Sequence, residues 1–264
     1  MQAILQAIRV MLSLLFLGYA SWSDIKTREV TNRVWLLYAP LGFMFTLLDG
    51  FLYGSSNYWI LFGVSVVTTW TLAVALFYLG AFGGADAKAF ICLALAFPIY
   101  LKNIFNFQLV SGHPIFPLTV FTNSMILAAS SVIYILLQNL LWKLKMRSKL
   151  FEGLEKEPLW RKILTVLCGY KVSLEKLREK DFYFPLEDIK ENDGVLERFL
   201  VVFSKNEDRN EILERLSFAV KNKRINPQIW ASPGLPMLVF ITAGFLVALF
   251  FGDIVWFLIL LLLG

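Results

Sequence analysis

The chain has 264 residues, 58% of them hydrophobic and 17% charged, with a formal net charge of +5. A soluble domain holds about half apolar and a quarter charged residues, so composition excludes an ordinary soluble protein. The apolar residues fall in long runs between short polar breaks, the pattern of spanning helices, and the basic excess then reads as loops held in the cytoplasm rather than a nucleic-acid surface.

A spanning helix needs about 20 mostly apolar residues. Six runs qualify in chain order: residues 4–22, 34–53, 58–79, 87–101, 116–142 and 236–263. The fourth is short and the sixth long, which tilt, bilayer thinning or a break can absorb. The sequence therefore predicts an α-helical integral membrane protein with six transmembrane helices and a small α+β cytoplasmic domain inserted before the last helix. Residues 1–142 form the five-helix membrane part, 143–232 the soluble domain and 233–264 the sixth helix. In the polar stretch, residues 208–222 predict a helix with Ile212, Leu213, Leu216 and Val220 on one face, and residues 199–203 a strand. Residues 159–167 form a second amphipathic segment, suited to lying on the membrane surface.

Lys26, Arg28 and Arg33 follow the first run, and most remaining Lys and Arg lie in the large polar region. The loop at 54–57 has no basic residue, and the loop after the fourth run has only Lys102. Six alternating spans then put both termini outside the cell membrane and the polar domain in the cytoplasm. Arg9, the run 10–17 and Gly18-Tyr19-Ala20 imitate a cleavable secretory signal. The basic residues just beyond resist translocation, so the first helix is expected to be retained.

Two aspartates then fall at the same membrane face, the cytoplasmic one. Asp24 follows the first run, and Asp86 precedes the fourth in Gly83-Gly84-Ala85-Asp86. Paired carboxylates suit peptide hydrolysis: two close Asp side chains share one proton, so one serves as base toward water and the other donates to the scissile carbonyl. The Gly83-Gly84 step leaves a backbone free of Cβ crowding, which an extended substrate can approach. The plainer reading is that Asp86 caps a helix and Asp24 pairs with nearby Lys26 or Arg28 at the surface.

Asp24-Ile25-Lys26-Thr27-Arg28-Glu29-Val30-Thr31-Asn32 resembles the stretch after the first helix of type IV prepilin and preflagellin peptidases. Gly83-Gly84-Ala85-Asp86-Ala87-Lys88 resembles their Gly-x-Gly-Asp motif, with Ala85 in the third place as in the archaeal preflagellin branch. The resemblance implies a GxGD-type aspartyl endopeptidase with Asp24 and Asp86 as catalytic residues and Gly83, Gly84 and Ala85 as the active-site loop. It implies preflagellin or prepilin precursors as partners, cut after a short basic leader, within a lipid bilayer. Bacterial prepilin peptidases carry a zinc-binding cysteine tetrad and methylate the new N-terminus. Cys92 and Cys168 stand alone, so no metal, cofactor or methyltransferase activity is expected. Peptidases for other archaeal pilins share the family.

Other constellations carry less. His113 is the sole histidine, in an expected outer loop beside Pro114, and no HExxH is present. Asp49 is expected at the outer interface. Asp253 is expected either at that interface, with the helix broken at Gly252, or paired with a polar group in the bundle. A small transporter or ion-binding bundle is the alternative class, since intramembrane carboxylates also serve ion pathways.

Overall fold

The structure, a computed structural model, describes residues 1–100, 114–146, 149–192, 195–201 and 208–263. It divides into two units: Met1–Ala129 with Pro236–Gly264, and Ser130–Leu235. Among the described residues, four helices are long and apolar enough to cross a membrane: α1 (Gln2–Thr27), α2 (Asn32–Tyr53), α3 (Ser56–Tyr78) and α5 (Phe116–Met146). α4 (Gly84–Ala96) has 13 residues, α9 (Met237–Phe250) 14 and α10 (Ile254–Leu263) 10. At 1.5 Å per residue, α4 covers about 20 Å, short of the ~30 Å hydrocarbon thickness.

The fourth run ends earlier than its composition predicts because of Pro98. A proline disfavours helical geometry at the residue before it, and Phe97 has left the helix with φ −138° and ψ 72°. Its predicted end at residue 101, like Lys102 and His113, lies outside the described residues. The sixth run is two helices. Gly252 takes φ 87°, and Asn123 spans the break: its amide donates to the Gly252 carbonyl at 2.9 Å, and its oxygen accepts from Ile254 N–H at 3.0 Å. Asp253 is buried there. It accepts from the Thr119 hydroxyl (3.2 Å) and caps α10 through Trp256 N–H (3.1 Å), so the break and the polar partner occur together.

In the first unit α4 is the central element, packed by α1, α2, α3 and α9. Its short Ala-rich face lets neighbours close in, and Leu17, Tyr38, Leu93, Phe97, Phe116 and Phe245 fill the interior. Met11, Leu15, Leu36, Ile60, Val67 and Trp70 remain exposed on the outer helix faces. Apolar surface on that scale fits a multi-pass membrane protein, whose solvent is lipid.

One expectation is corrected here. Asp49 is not a lone surface charge: it is 6% exposed and pairs with Arg9, itself 2% exposed, at 2.9 Å. Arg9 also donates to the Thr46 hydroxyl at 3.1 Å and to the carbonyl of Ala96, the last residue of α4. Thr46 donates to the same carbonyl at 2.9 Å. A buried charge in an apolar run is costly unless it is paired, and α1 and α2 each supply a partner to the other.

The second unit begins within α5 and continues through α6 (Leu159–Cys168), β1 (Tyr170–Ser173), α7 (Leu174–Glu179), β2 (Tyr183–Pro185), β3 (Glu187–Asn192), β4 (Val195–Leu200), α8 (Arg209–Lys221) and β5 (Gln228–Pro233). β1, β5 and β2 form an antiparallel sheet in that order, with Lys171 opposite Trp230; β3 and β4 form a separate hairpin. α8 forms where its periodicity predicts, capped by the Asp208 side chain on Asn210 N–H, and buries Ile212, Leu213 and Leu216 against Leu177 and Ile229. The predicted strand at 199–203 starts earlier, at Val195; residues 202 and 203 lie outside the described residues.

Candidate active site

α1 runs past its apolar stretch and places Asp24 in its last turn. The helix ends where Arg28 takes the left-handed conformation (φ 59°), and the Ser23 hydroxyl donates to the Glu29 carbonyl at 2.7 Å. That turn leads the chain into α2. The second carboxylate comes from the first turn of α4. Asp86 reaches back to accept the Gly83 N–H at 2.9 Å, satisfying one of the unpaired donors of the helix N-terminus. Gly83 itself is extended, with φ −71° and ψ 161°. A Cβ on Gly83 would stand 3.1 Å from the Asp86 carboxylate oxygen.

Asp24 accepts from the backbone N–H of Leu238 at 3.2 Å, at the start of α9. A carboxylate there meets the positive end of the helix dipole. The same join is fixed by Ser21, whose hydroxyl donates to the Leu238 carbonyl at 2.9 Å and lies 2.7 Å from the Thr242 hydroxyl. On the other side, Lys88 donates to Asn32 at 2.7 Å and ties the start of α4 to the start of α2. The four residues that carry the sequence resemblance, Asp24, Asn32, Asp86 and Lys88, thus come from three helix ends.

Asp24 and Asp86 are both partly exposed, and the Asp24 charge bears on Asp86. Each uses one oxygen, Oδ2, for a backbone amide. Neither Oδ1 accepts a hydrogen bond among the described residues, and no hydrogen bond joins the two carboxylates. Two carboxylates with a free oxygen each, held on separate helices, can position a water and a peptide carbonyl between them. Gly84 and Ala85 begin α4 beside them, partly buried.

The Leu238 amide was not foreseeable from spacing, since it lies 214 residues from Asp24. The one cue is Pro236, a common helix-start residue, just before α9. A cavity of about 610 Å³ lies elsewhere, around Arg9, Asp49 and Tyr58. Arg9 is 15 residues up α1 from Asp24, about 22 Å away along the helix, so this cavity is not part of the carboxylate site.

Residues 11–137 match the type IV leader peptidase family, and residues 161–254 match the archaeal peptidase A24 C-terminus, type II. Along its length the chain is 27% identical to a preflagellin peptidase of Methanococcus voltae over 250 residues, covering 92% of this chain and 94% of that one. It is 24% identical to a preflagellin peptidase of Methanocaldococcus jannaschii over 241 residues, covering 89% of each. A helical membrane bundle with these matches is a membrane protease. The chain belongs to the type IV leader peptidase family, in its archaeal form.

Proposed function

We propose that this protein is an aspartic endopeptidase that removes the short basic leader from preflagellin precursors at the cytoplasmic face of the cell membrane, with Asp24 and Asp86 as its catalytic pair. The observation that carries the reading is that Asp24, at the end of α1, lies near enough for its charge to bear on Asp86, at the start of α4, and that each keeps an Oδ1 that accepts no hydrogen bond among the described residues. One carboxylate takes a proton from water, the hydroxyl adds to the scissile carbonyl, and the other carboxylic acid protonates the carbonyl oxygen. Collapse of the tetrahedral adduct breaks the C–N bond and returns a proton to the leaving amine. The two groups titrate as a pair. The family and both relatives' names support leader removal. The test is a gel-shift assay: membranes containing the chain, mixed with a preflagellin precursor, should yield a product shortened by the leader. Intact precursor after long incubation would refute the activity, and a pilin precursor run in parallel reads the breadth of substrate.

The proposed topology has six spans, with the fourth and sixth short or broken, both termini outside and residues 143–232 in the cytoplasm. Tags at Met1 and Gly264 should be accessible from outside the cell, and a tag on the Lys221–Arg224 turn only after lysis. Access to that turn in intact cells would invert the orientation and separate the carboxylates from a cytoplasmic leader.

The absence of a hydrogen bond between the carboxylates leads to a third expectation. Substrate should draw α1 and α4 together, with the Gly80–Gly84 loop yielding, since Gly80 already takes φ 73°. Cysteines at positions 24 and 86, in a background lacking Cys92 and Cys168, should cross-link faster with a precursor peptide present than without. Equal rates would mean a preformed pair. Gly83→Val should lower kcat by about 10- to 100-fold with little change in KM, because its Cβ would press on Asp86.

A further inference from the structure

The second unit holds a pocket of about 370 Å³ that includes neither Asp24 nor Asp86, lined by Gln138, Trp142 and Lys145 of α5, Lys171 of β1 and Lys176 of α7. Lys171 is unusual. It is only 9% exposed, and its ammonium makes no hydrogen bond among the described residues. It sits between two indoles, 5.1 Å from the Trp142 ring centre and 5.8 Å from that of Trp230. The neighbouring buried carboxylate, Glu187, is committed elsewhere: both its oxygens accept from Arg198, at 2.9 and 2.8 Å. Lys171 and Arg198 thus share one buried carboxylate, and the other acid bearing on Lys171, Glu152, is exposed. Burial pushes the Lys171 ammonium below its usual pKa, with the Glu187 charge opposing. Lys145 and Lys176 stand exposed at the rim.

The pocket's level along α5 narrows the ligand. α5 has 31 residues, about 46 Å of helix, whereas the hydrocarbon core takes about 20 residues. Counted from Phe116, residues 138–146 lie beyond that core, where Trp and Lys meet lipid headgroups. Asn139 holds α6 at the same level, donating to the carbonyls of Val166 (3.1 Å) and Gly169 (2.8 Å). α6 leaves Leu159, Trp160 and Ile163 exposed, the apolar face of a helix suited to a bilayer surface.

We propose that this pocket binds a phosphate group through Lys171, Lys145 and Lys176, and that in the membrane this is the phosphate of an anionic phospholipid. The inference rests on α5 crossing a bilayer and is independent of the peptidase reading. It is tested by native mass spectrometry of the full chain in detergent, titrated separately with phosphatidylglycerol, phosphatidylcholine and inorganic phosphate. Wild type should retain phosphatidylglycerol about tenfold more tightly than phosphatidylcholine. Lys171→Met should lose about tenfold or more in that affinity, the worth of a charge-assisted hydrogen bond. Lys145→Ala/Lys176→Ala, changed only at exposed positions, should lose several-fold, and it carries the test if Lys171→Met fails to fold. Inorganic phosphate that binds as well as the lipid, with the same loss in Lys171→Met, would uphold the phosphate site and reject the lipid as its source. Phosphatidylglycerol binding unchanged in the rim double variant and in a folded Lys171→Met would overturn the proposal.

Discussion

Asp24→Asn and Asp86→Asn are each expected to abolish leader removal, with a loss of about 100-fold or more, the usual contribution of a general acid or base. The structure makes these substitutions clean. Asp24 accepts one hydrogen bond, from Leu238 N–H, and Asp86 accepts one, from Gly83 N–H. An asparagine carbonyl oxygen can accept either bond, so α9 stays docked on α1 and the first turn of α4 stays closed. What asparagine cannot do is exchange a proton with water or with the scissile carbonyl. Alanine would be less informative, because it also removes a helix-end acceptor worth about 1 kcal/mol. The measurement is cleavage of a preflagellin precursor at equal enzyme amounts, with thermal melting in detergent to show that the variants are folded. Turnover near wild type in either variant would remove that aspartate from the mechanism and leave its bond to the backbone as its role.

The two aspartates stood out in the sequence because each adjoins an apolar run. The structure puts Asp24 in the last turn of α1 and Asp86 in the first turn of α4. α8 was legible for a similar reason: Asp208 caps it, and Ile212, Leu213 and Leu216 repeat at helical spacing. The amphipathic segment near residue 160 forms α6 with its apolar face exposed. Less legible was anything that depends on how helices turn toward one another. Arg9 and Asp49 lie 40 residues apart on different helices, and nothing local tells a lone interfacial charge from half of a buried pair. Two lone, opposite charges in neighbouring apolar runs were the available signal. The sheet was also hidden. β1, β2 and β5 have three to six residues each, and β1 and β5 join across 54 residues of intervening chain. Local propensity says little about strands that short, whose stability comes from cross-strand packing.

Arg9→Met is expected to be the most destabilising single substitution in the bundle, because it strands Asp49. Removing one partner of a buried ion pair costs about 3–5 kcal/mol, since the remaining charge stays desolvated without compensation. The Gln2 amide still donates to Asp49 at 3.2 Å, but the guanidinium contact at 2.9 Å is gone. The Ala96 carbonyl keeps Thr46 and loses Arg9, so the end of α4 is held less firmly against α1 and α2. Asp86 sits at the other end of this 13-residue helix, and a tilt of α4 would move it. Activity should therefore fall together with stability. Arg9→Met/Asp49→Leu should recover much of the thermal midpoint, because an apolar pair in place of a buried ion pair is often neutral or better. Melting curves of wild type, both single variants and the double variant give the coupling between the two residues directly. A double variant that melts no higher than Arg9→Met would show that the guanidinium matters for its bonds to Ala96 and Thr46 rather than for its charge opposite Asp49, and an Arg9→Met that melts like wild type would contradict the burial argument altogether.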